Sequence, residues 1–329
     1  MRRFTGQKDI RTFLQLYGFP LTMALVLVFL SVVTRSFLTL RNIMGLLHAA
    51  APMIITASGL AMVVMAGKLD ISIGSVTFLT STISAVMMVR LGVAPIIAIP
   101  VVLIVGAMCG AITGAIVTRL GVNPLIASLG MLFAIRGLAL RITEGRVISL
   151  PDVFRRFGNA RVGPVYVDVL VAIVFILGVH LLHTRTKYGR HIMAIGNDEE
   201  TAQKLGVRTN RVVFMSFVLS GLFASIGGFL TTMQLGAVTL HMGQGLEFTA
   251  IAMIVVGGIS LFGGEGSILP GFVLGVITLN LIENGLNHLG ASPYAYPFVR
   301  GGIIFAAMYA DTLKHRVRVR TIGAAKQRL

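Results

Sequence analysis

Charge is scarce in this sequence. Only 12% of its 329 residues are Asp, Glu, Lys or Arg, about half the share of a soluble domain. With 55% hydrophobic residues, the chain lacks the polar surface that a water-soluble globule needs. Disorder is excluded by the same numbers, since it requires low hydrophobicity. Acids are scarcer still, 12 against 28 Lys and Arg. The net charge of +16 raises a nucleic-acid partner, but no soluble basic domain is present to hold one. Cys109 is the single cysteine and lies in an apolar run, so there is no disulfide framework. No G-x-x-x-x-G-K-S/T loop occurs, so no ATPase is read in this chain. No nucleophile–base set is present either, and no catalytic residue is assigned. His180 and His183 are three apart, but no further ligand supports a metal there. No cofactor is expected.

What is abundant is uncharged sequence. Residues 12–34, 42–67, 71–89, 91–118 and 212–246 hold no Asp, Glu, Lys or Arg. Each can cross a hydrocarbon core of about 30 Å, which takes about 20 residues. Shorter uncharged runs cover 120–135, 169–184, 248–264, 266–282 and 284–299. All are too long and continuous for barrel strands of about ten alternating residues. The fold class is therefore all-α, a polytopic membrane protein with about ten transmembrane helices, some broken or re-entrant. The expected crossings are 15–34, 43–66, 73–91, 94–118, 123–142, 165–183, 211–233, 246–262, 266–288 and 294–312. The first run lacks a small-residue cleavage pattern and is read as a retained helix.

Basic residues cluster at the tails and in one central loop. Arg2, Arg3, Lys8 and Arg11 precede the first run; Lys314, Arg316, Arg318, Arg320, Lys326 and Arg328 follow the last. Arg185, Lys187, Arg190, Lys204 and Arg208 lie between. Positive residues mark the cytoplasmic side. An even number of crossings then puts both tails and the loop on that side. This gives a cytoplasmic tail 1–14, one membrane domain 15–312 and a basic tail 313–329. Loop 143–164 falls outside although it carries Arg146, Arg155, Arg156 and Arg161; it docks an acidic partner or is simply solvated. Gly106, Gly110 and Gly114, and later Gly271 and Gly275, recur every four residues, a pattern for close helix packing in lipid.

The cytoplasmic loop 184–210 contains a specified short helix. Asn197 is the expected N-cap, with Glu200 at capping-box spacing. Asp198 and Glu199 suit the positive end of the dipole. Lys204 lies in the last turn and Gly206 at the left-handed C-cap. A capped helix of two turns, marginal on its own, reads as a docking element.

Four ordered segments carry a family resemblance. They are GKLDISIGS (67–75), NPLIASLGMLFAIRGLAL (123–140), YGRHIMAIGNDEETAQKLGV (188–207) and GQGLEFTAIAMIVVGGISLFGGEGSILPG (243–271). Together they resemble the inner-membrane permeases of ATP-binding-cassette (ABC) importers for ribose and related monosaccharides. Lys68, Ile71, Ile73 and Pro270 depart from the family pattern, and Lys68 is expected to pair locally with Asp70. The resemblance implies a translocation path between two permease copies, homodimeric or with a related chain, in the bacterial inner membrane. It implies a periplasmic sugar-binding protein outside, and ABC ATPase subunits gripping the 184–210 loop. The coupling-loop residues it implies are Tyr188, Gly189, Arg190, Ala194, Gly196, Asn197, Glu200, Ala202 and Gly206. Membrane lipid is the remaining partner.

Polar groups at membrane depth are costly and mark function by default. Asp70, followed by Ser72, reads as a cap for a helix beginning near Ile71, or as a gating or path residue. Glu247 reads as a first-turn acid or as part of the path. Asn280, Asn284 and Asn287 share a helix face, with Glu283 beside it. They line the path or bond between helices. Asn123 opens the second resembling segment and completes the path candidates. The competing functions are a permease for branched-chain amino acids or nucleosides, an ion-coupled secondary transporter and a membrane enzyme.

Overall fold

The computed structural model of the chain describes residues 28, 37–292, 294–306, 308–309 and 312. Apart from residue 28, the expected crossing 15–34 and both basic tails lie outside the described residues. Among these residues the chain is helical and polytopic, with seven helices long and apolar enough to cross a membrane. α1 (Leu40–Met65) starts at Thr39, whose hydroxyl accepts from Asn42 N at 3.3 Å. α2 (Ile73–Arg90), α3 (Pro95–Arg119) and α4 (Pro124–Thr143) follow. Pro124 occupies the first turn of α4, where its missing N–H costs nothing. An irregular segment holds β1 (Ile148–Ser149), α5 (Asp152–Gly158), β2 (Arg161–Val162) and β3 (Val165–Tyr166). α6 (Val167–Arg185) leads to α7 (Lys187–Asn197) and α8 (Glu199–Lys204). α9 (Thr209–Leu235) and β4 (Ala237–Val238) precede α10 (Leu246–Val256). A π-helical turn (Ile268–Phe272) then feeds α11 (Val273–His288), and residues 295–306 are helical. β1 pairs antiparallel with β4, and β2 with β3, each over two residues.

α1, α2 and α9 form the centre, with 78%, 72% and 67% of their most apolar windows buried. α3, α4 and α6 are only 33%, 22% and 33% buried over theirs, so they form the periphery of the bundle. α9 packs against α1, α2 and α3 through small residues. A Cβ at Gly110 would fall 2.9 Å from the Phe217 carbonyl carbon, and one at Gly221 would fall 2.8 Å from Gly110 N. The 106/110/114 stripe is thus the α3–α9 contact, where close backbone approach replaces the hydrophobic driving force lost in lipid. Ser81 Oγ donates to Gly228 O at 2.9 Å and Thr77 Oγ1 to Ala224 O at 3.3 Å, tying α2 to α9.

The apolar run after residue 246 is broken. α10 has 11 residues and spans about 16 Å, roughly half a crossing. The expected helix 246–262 therefore ends early. Gly258, Gly263, Gly264 and Gly266 take positive φ and turn the chain back. Gly271 and Gly275 then pack on the backbone of Gly257 and Met253.

Candidate functional site

Three of the four resembling segments meet at the end of α1. Its last carbonyls lack helical partners, and Met65 O accepts from Gly264 N of the glycine-rich turn at 2.9 Å. Gly67 leaves α1 with φ +70. A Cβ at Gly263 would lie 2.7 Å from Gly67 Cα and 2.9 Å from Gly196 Cα. Gly196, near the end of α7, is enclosed by Met65 O, Gly264 N and the Gly263 carbonyl carbon. Asn197 Nδ2 donates to Met193 O at 2.8 Å and to Gly264 O at 3.2 Å. The junction is therefore backbone against backbone, and only glycine permits it.

α7 and α8 hang from this junction. Thr186 caps α7, accepting from Gly189 N at 3.3 Å. α7 buries Gly189, Ile192 and Ile195, half-buries Ala194 and exposes Arg190. Tyr188 OH lies 2.8 Å from Ser216 Oγ of α9, and burial pushes the Tyr188 phenol above its usual pKa. The cap of α8 is not Asn197 as expected but Asp198, whose Oδ1 accepts from Thr201 N at 2.8 Å. That bond from the Thr201 amide holds the Asp198 carboxyl below its usual pKa. Either residue has capping chemistry; Asn197 is drawn away because it completes α7 and bonds Gly264. Glu200 therefore sits one position earlier than a capping box needs, and pairs instead with Lys204 at 2.7 Å. Gly206 takes φ +84 as expected. Its N–H reaches Gln203 O at 2.9 Å, and Val207 N reaches Ala202 O at 3.1 Å, a Schellman ending. α8 buries Ala202 and leaves Leu205 79% exposed at its tip.

Lys68 does not pair with Asp70. Its Nζ lies 2.7 Å from Glu199 Oε2, at the start of α8. Asp70 turns inward, 1% exposed. Its Oδ1 accepts from Ser72 N at 3.0 Å and Ser72 Oγ at 2.6 Å, and its Oδ2 accepts from Ser220 Oγ of α9 at 2.8 Å. The next helix begins at Ile73, not Ile71, with Ser72 as N-cap residue, so Asp70 organises the turn before it. Glu247, in the first turn of α10 and 7% exposed, meets the same place from the other side. A Cβ at Gly74 would lie 2.5 Å from Glu247 Oε2. Two carboxylates thus flank the N-terminus of α2, where the helix dipole favours negative charge.

The other candidates lie apart from this cluster. Asn123 caps α4, accepting from Leu125 N at 2.9 Å. Asn280 Nδ2 donates to Val276 O of its own helix at 2.9 Å. Asn284 exchanges amide bonds with Asn42 of α1 at 2.9 and 3.1 Å. Glu283 meets Arg300 Nε at 2.6 Å, and Arg300 also donates to Thr249 Oγ1 at 3.0 Å. Asn284 and Glu283 are therefore engaged between helices. Sequence reasoning passed over Ser216 and Ser220, which look like ordinary packing residues, and Arg136, whose guanidinium donates to Leu240 O at 2.8 Å. Arg136-Gly137 within segment 123–140, a charge in an otherwise uncharged run, was the available signal for Arg136. Among the described residues, no group of three His, Cys, Asp or Glu is placed to hold a metal.

The profile of the family described as "Branched-chain amino acid transport system / permease component" matches residues 42–308. The ribose import permease protein RbsC of Escherichia coli K12 is 32% identical over 300 residues, 89% of this chain and 92% of the relative. The D-allose transport system permease protein AlsC of the same organism is 32% identical over 300 residues, 90% of this chain and 91% of the relative. The autoinducer 2 import system permease protein LsrC of Photorhabdus luminescens is 30% identical over 302 residues, 90% of this chain and 89% of the relative. No solved structure matches. In this family the ATPase is a separate subunit and the permease is not an enzyme. The chain belongs to this family of inner-membrane ABC importer permeases.

Proposed function

We propose that this permease carries a monosaccharide, delivered by a periplasmic binding protein, along a path opened and closed by ATPase subunits that grip α8. The observation that carries the coupling role is the glycine junction: Gly196 at the end of α7 touches both the α1 terminus and the 257–266 turn. A force applied to α7 and α8 thus reaches two membrane hairpins at once. α8 suits a docking role because both its ends are satisfied by their own caps, leaving Glu200, Gln203, Lys204 and Leu205 exposed for a partner. Asp70, Ser72 and Glu247, beside the junction, act in gating. Asn123, Asn280, Glu283 and Asn284 support the helices around the path. A sugar is favoured as cargo because the relatives named for ribose and D-allose are 32% identical across nearly all of this chain. The working unit is two permease copies in lipid, each with ten crossings and both termini cytoplasmic; nucleic acid has no part. Residues 15–312 form the membrane domain between the tails 1–14 and 313–329. Loops 143–164 and 184–210 face the periplasm and the cytoplasm.

The test is ATPase activity of the permease co-purified with its ATPase and binding protein in nanodiscs, with sugars added singly. One sugar stimulates hydrolysis, and Glu200→Arg with Leu205→Glu removes the stimulation. Failure of any ATPase to co-purify, with uptake running on an ion gradient alone, overturns the proposal in favour of a secondary transporter.

Lys68 and Glu199 supply a second expected result. Their side chains are 22% and 41% exposed, so the pair contributes about 0.2–1 kcal/mol. Lys68→Glu places like charges together and lowers sugar-stimulated ATPase activity about two- to fivefold. Adding Glu199→Lys recovers most of it. A double variant no better than the single one shows that the pair carries no coupling.

A further inference from the structure

The segment joining α9 to α10 returns to the middle of the bundle. α9 has 27 residues, about 40 Å of helix. Asp70 bonds Ser220, its twelfth residue, so α2 starts near half its length. Thr77 and Ser81 then bond Ala224 and Gly228, so α2 runs on toward the Leu235 end. Gly243 packs on the first turn of α2: a Cβ there would lie 2.9 Å from the Gly74 carbonyl carbon. Residues 236–243 therefore leave the end of α9 and come back about half its length, within the roughly 26 Å that eight extended residues reach. α10 begins at Leu246, with Gly245 at φ +74 as its N-cap. The N-termini of α2 and α10 thus meet near the centre. Irregular backbone at that depth persists only where protein encloses it or where it lines a water-filled cavity.

Both conditions hold here, on opposite sides of the segment. Toward the protein, Val238 and Met242 are buried. Arg136 of α4 donates to Leu240 O at 2.8 Å, with its guanidinium 5.1 Å from the Phe78 ring centroid. On the other side Thr239, His241 and Gln244 are exposed, and His241 Nδ1 lies 3.0 Å from Gln244 Oε1. Exposed polar side chains at that depth are costly against hydrocarbon, so this side meets water. A second contact at the same depth agrees. Arg300 donates to Thr249 Oγ1, in the first turn of α10, and pairs with Glu283, their side chains 32% and 26% exposed. An ion pair so open does not sit in lipid.

We propose that His241 and Gln244 line the translocation path near mid-membrane and hydrogen-bond the hydroxyls of the passing sugar, an inference that rests on the importer reading above. Neither residue is among the path candidates read from the sequence. With His241 Nδ1 donating to Gln244 Oε1, ring Nε2 is left to accept and the Gln244 amide to donate. That pair fits a neutral polyol, whose hydroxyls each donate and accept. Phe248, four residues on and 57% exposed, offers an apolar surface to the C–H face of the sugar. Arg136 acts as a positioning residue: it fixes the segment from behind and does not reach the path.

The experiment has two arms. In the first, His241→Cys and Gln244→Cys are made in a Cys109→Ala background, Cys109 being the single native thiol. The chain in nanodiscs meets a membrane-impermeant thiol reagent. Both cysteines label at least about tenfold faster than Val174→Cys, a site 71% exposed on peripheral α6. Labelling no faster than Val174→Cys puts the face in lipid or under a neighbour and overturns the proposal, whether or not sugar is carried. In the second arm, uptake of ribose and D-allose by the reconstituted complex is measured in proteoliposomes. His241→Leu and Gln244→Leu each lower uptake about three- to tenfold, the loss of one net hydrogen bond. Their melting temperatures stay at the wild-type value, because both side chains are exposed. His241→Gln and Gln244→Asn, which keep a donor and an acceptor, retain most of the uptake. Leucine variants that transport like the wild type overturn the sugar contact. A wild-type complex that carries neither sugar is a different result: it counts against the importer reading for these sugars, and the sugar contact falls with it, while the labelling still decides which way the face looks.

Discussion

Gly196→Val lowers sugar transport in proteoliposomes about tenfold while the control Gly178→Ala transports normally. At Gly178, on α6, nothing lies within 4 Å of an added Cβ. At Gly196 the Cβ would lie 3.0 Å from the Gly263 carbonyl carbon and closer still to Met65 O and Gly264 N. These are backbone atoms and cannot swing aside. Either α7 moves off the α1 terminus or the 2.9 Å bond from Gly264 N to Met65 O breaks. Overpacking costs about 1–3 kcal/mol, enough for about a tenfold loss wherever the junction transmits force. A monodisperse size-exclusion profile with transport lowered places the defect in coupling. Wild-type transport by a monodisperse Gly196→Val chain removes the junction from the mechanism.

The membrane helices were legible because lipid imposes one simple demand, a long uncharged run. Expected 73–91, 94–118 and 123–142 correspond to Ile73–Arg90, Pro95–Arg119 and Pro124–Thr143. The rule fails at 246–262, where the run carries no charge after Glu247 but Gly257 and Gly258 end the helix. Hydropathy does not register backbone freedom. The α8 cap was misplaced by one residue because Asn197 and Asp198 have equivalent chemistry locally; a contact with Gly264, 67 residues away, decides between them. Lys68 has Asp70 nearby in sequence and Glu199 nearby in space. Its partner could be read only once the α1 terminus and α8 were brought together. Each glycine motif was visible, whereas their convergence on Gly196 was not. The His48–Asp168 pair, 120 positions apart on two helices, left no local signal at all.

Asp70→Leu produces a second large effect, and its comparison with Asp70→Asn separates anchoring from gating. The leucine removes the acceptor of Ser72 N, Ser72 Oγ and Ser220 Oγ together. Each buried donor left unpaired costs about 1–3 kcal/mol, so the α1–α2 corner separates from α9 and the melting temperature in detergent falls with transport. Asparagine retains one carboxamide oxygen for the two Ser72 donors, and its N–H can donate to the Ser220 hydroxyl, which accepts as readily as it donates. The hydrogen-bond geometry survives and only the charge is lost. Asp70→Asn is therefore expected to melt near the wild type. If it also transports normally, the role of Asp70 is to hold the corner against α9. If it folds but transport falls, the negative charge at the start of α2 is used in the cycle, and Glu247, facing the same turn, becomes its partner in that step. An unchanged melting temperature for Asp70→Leu contradicts both, because Ser72 N, Ser72 Oγ and Ser220 Oγ all lose the acceptor they use in the structure.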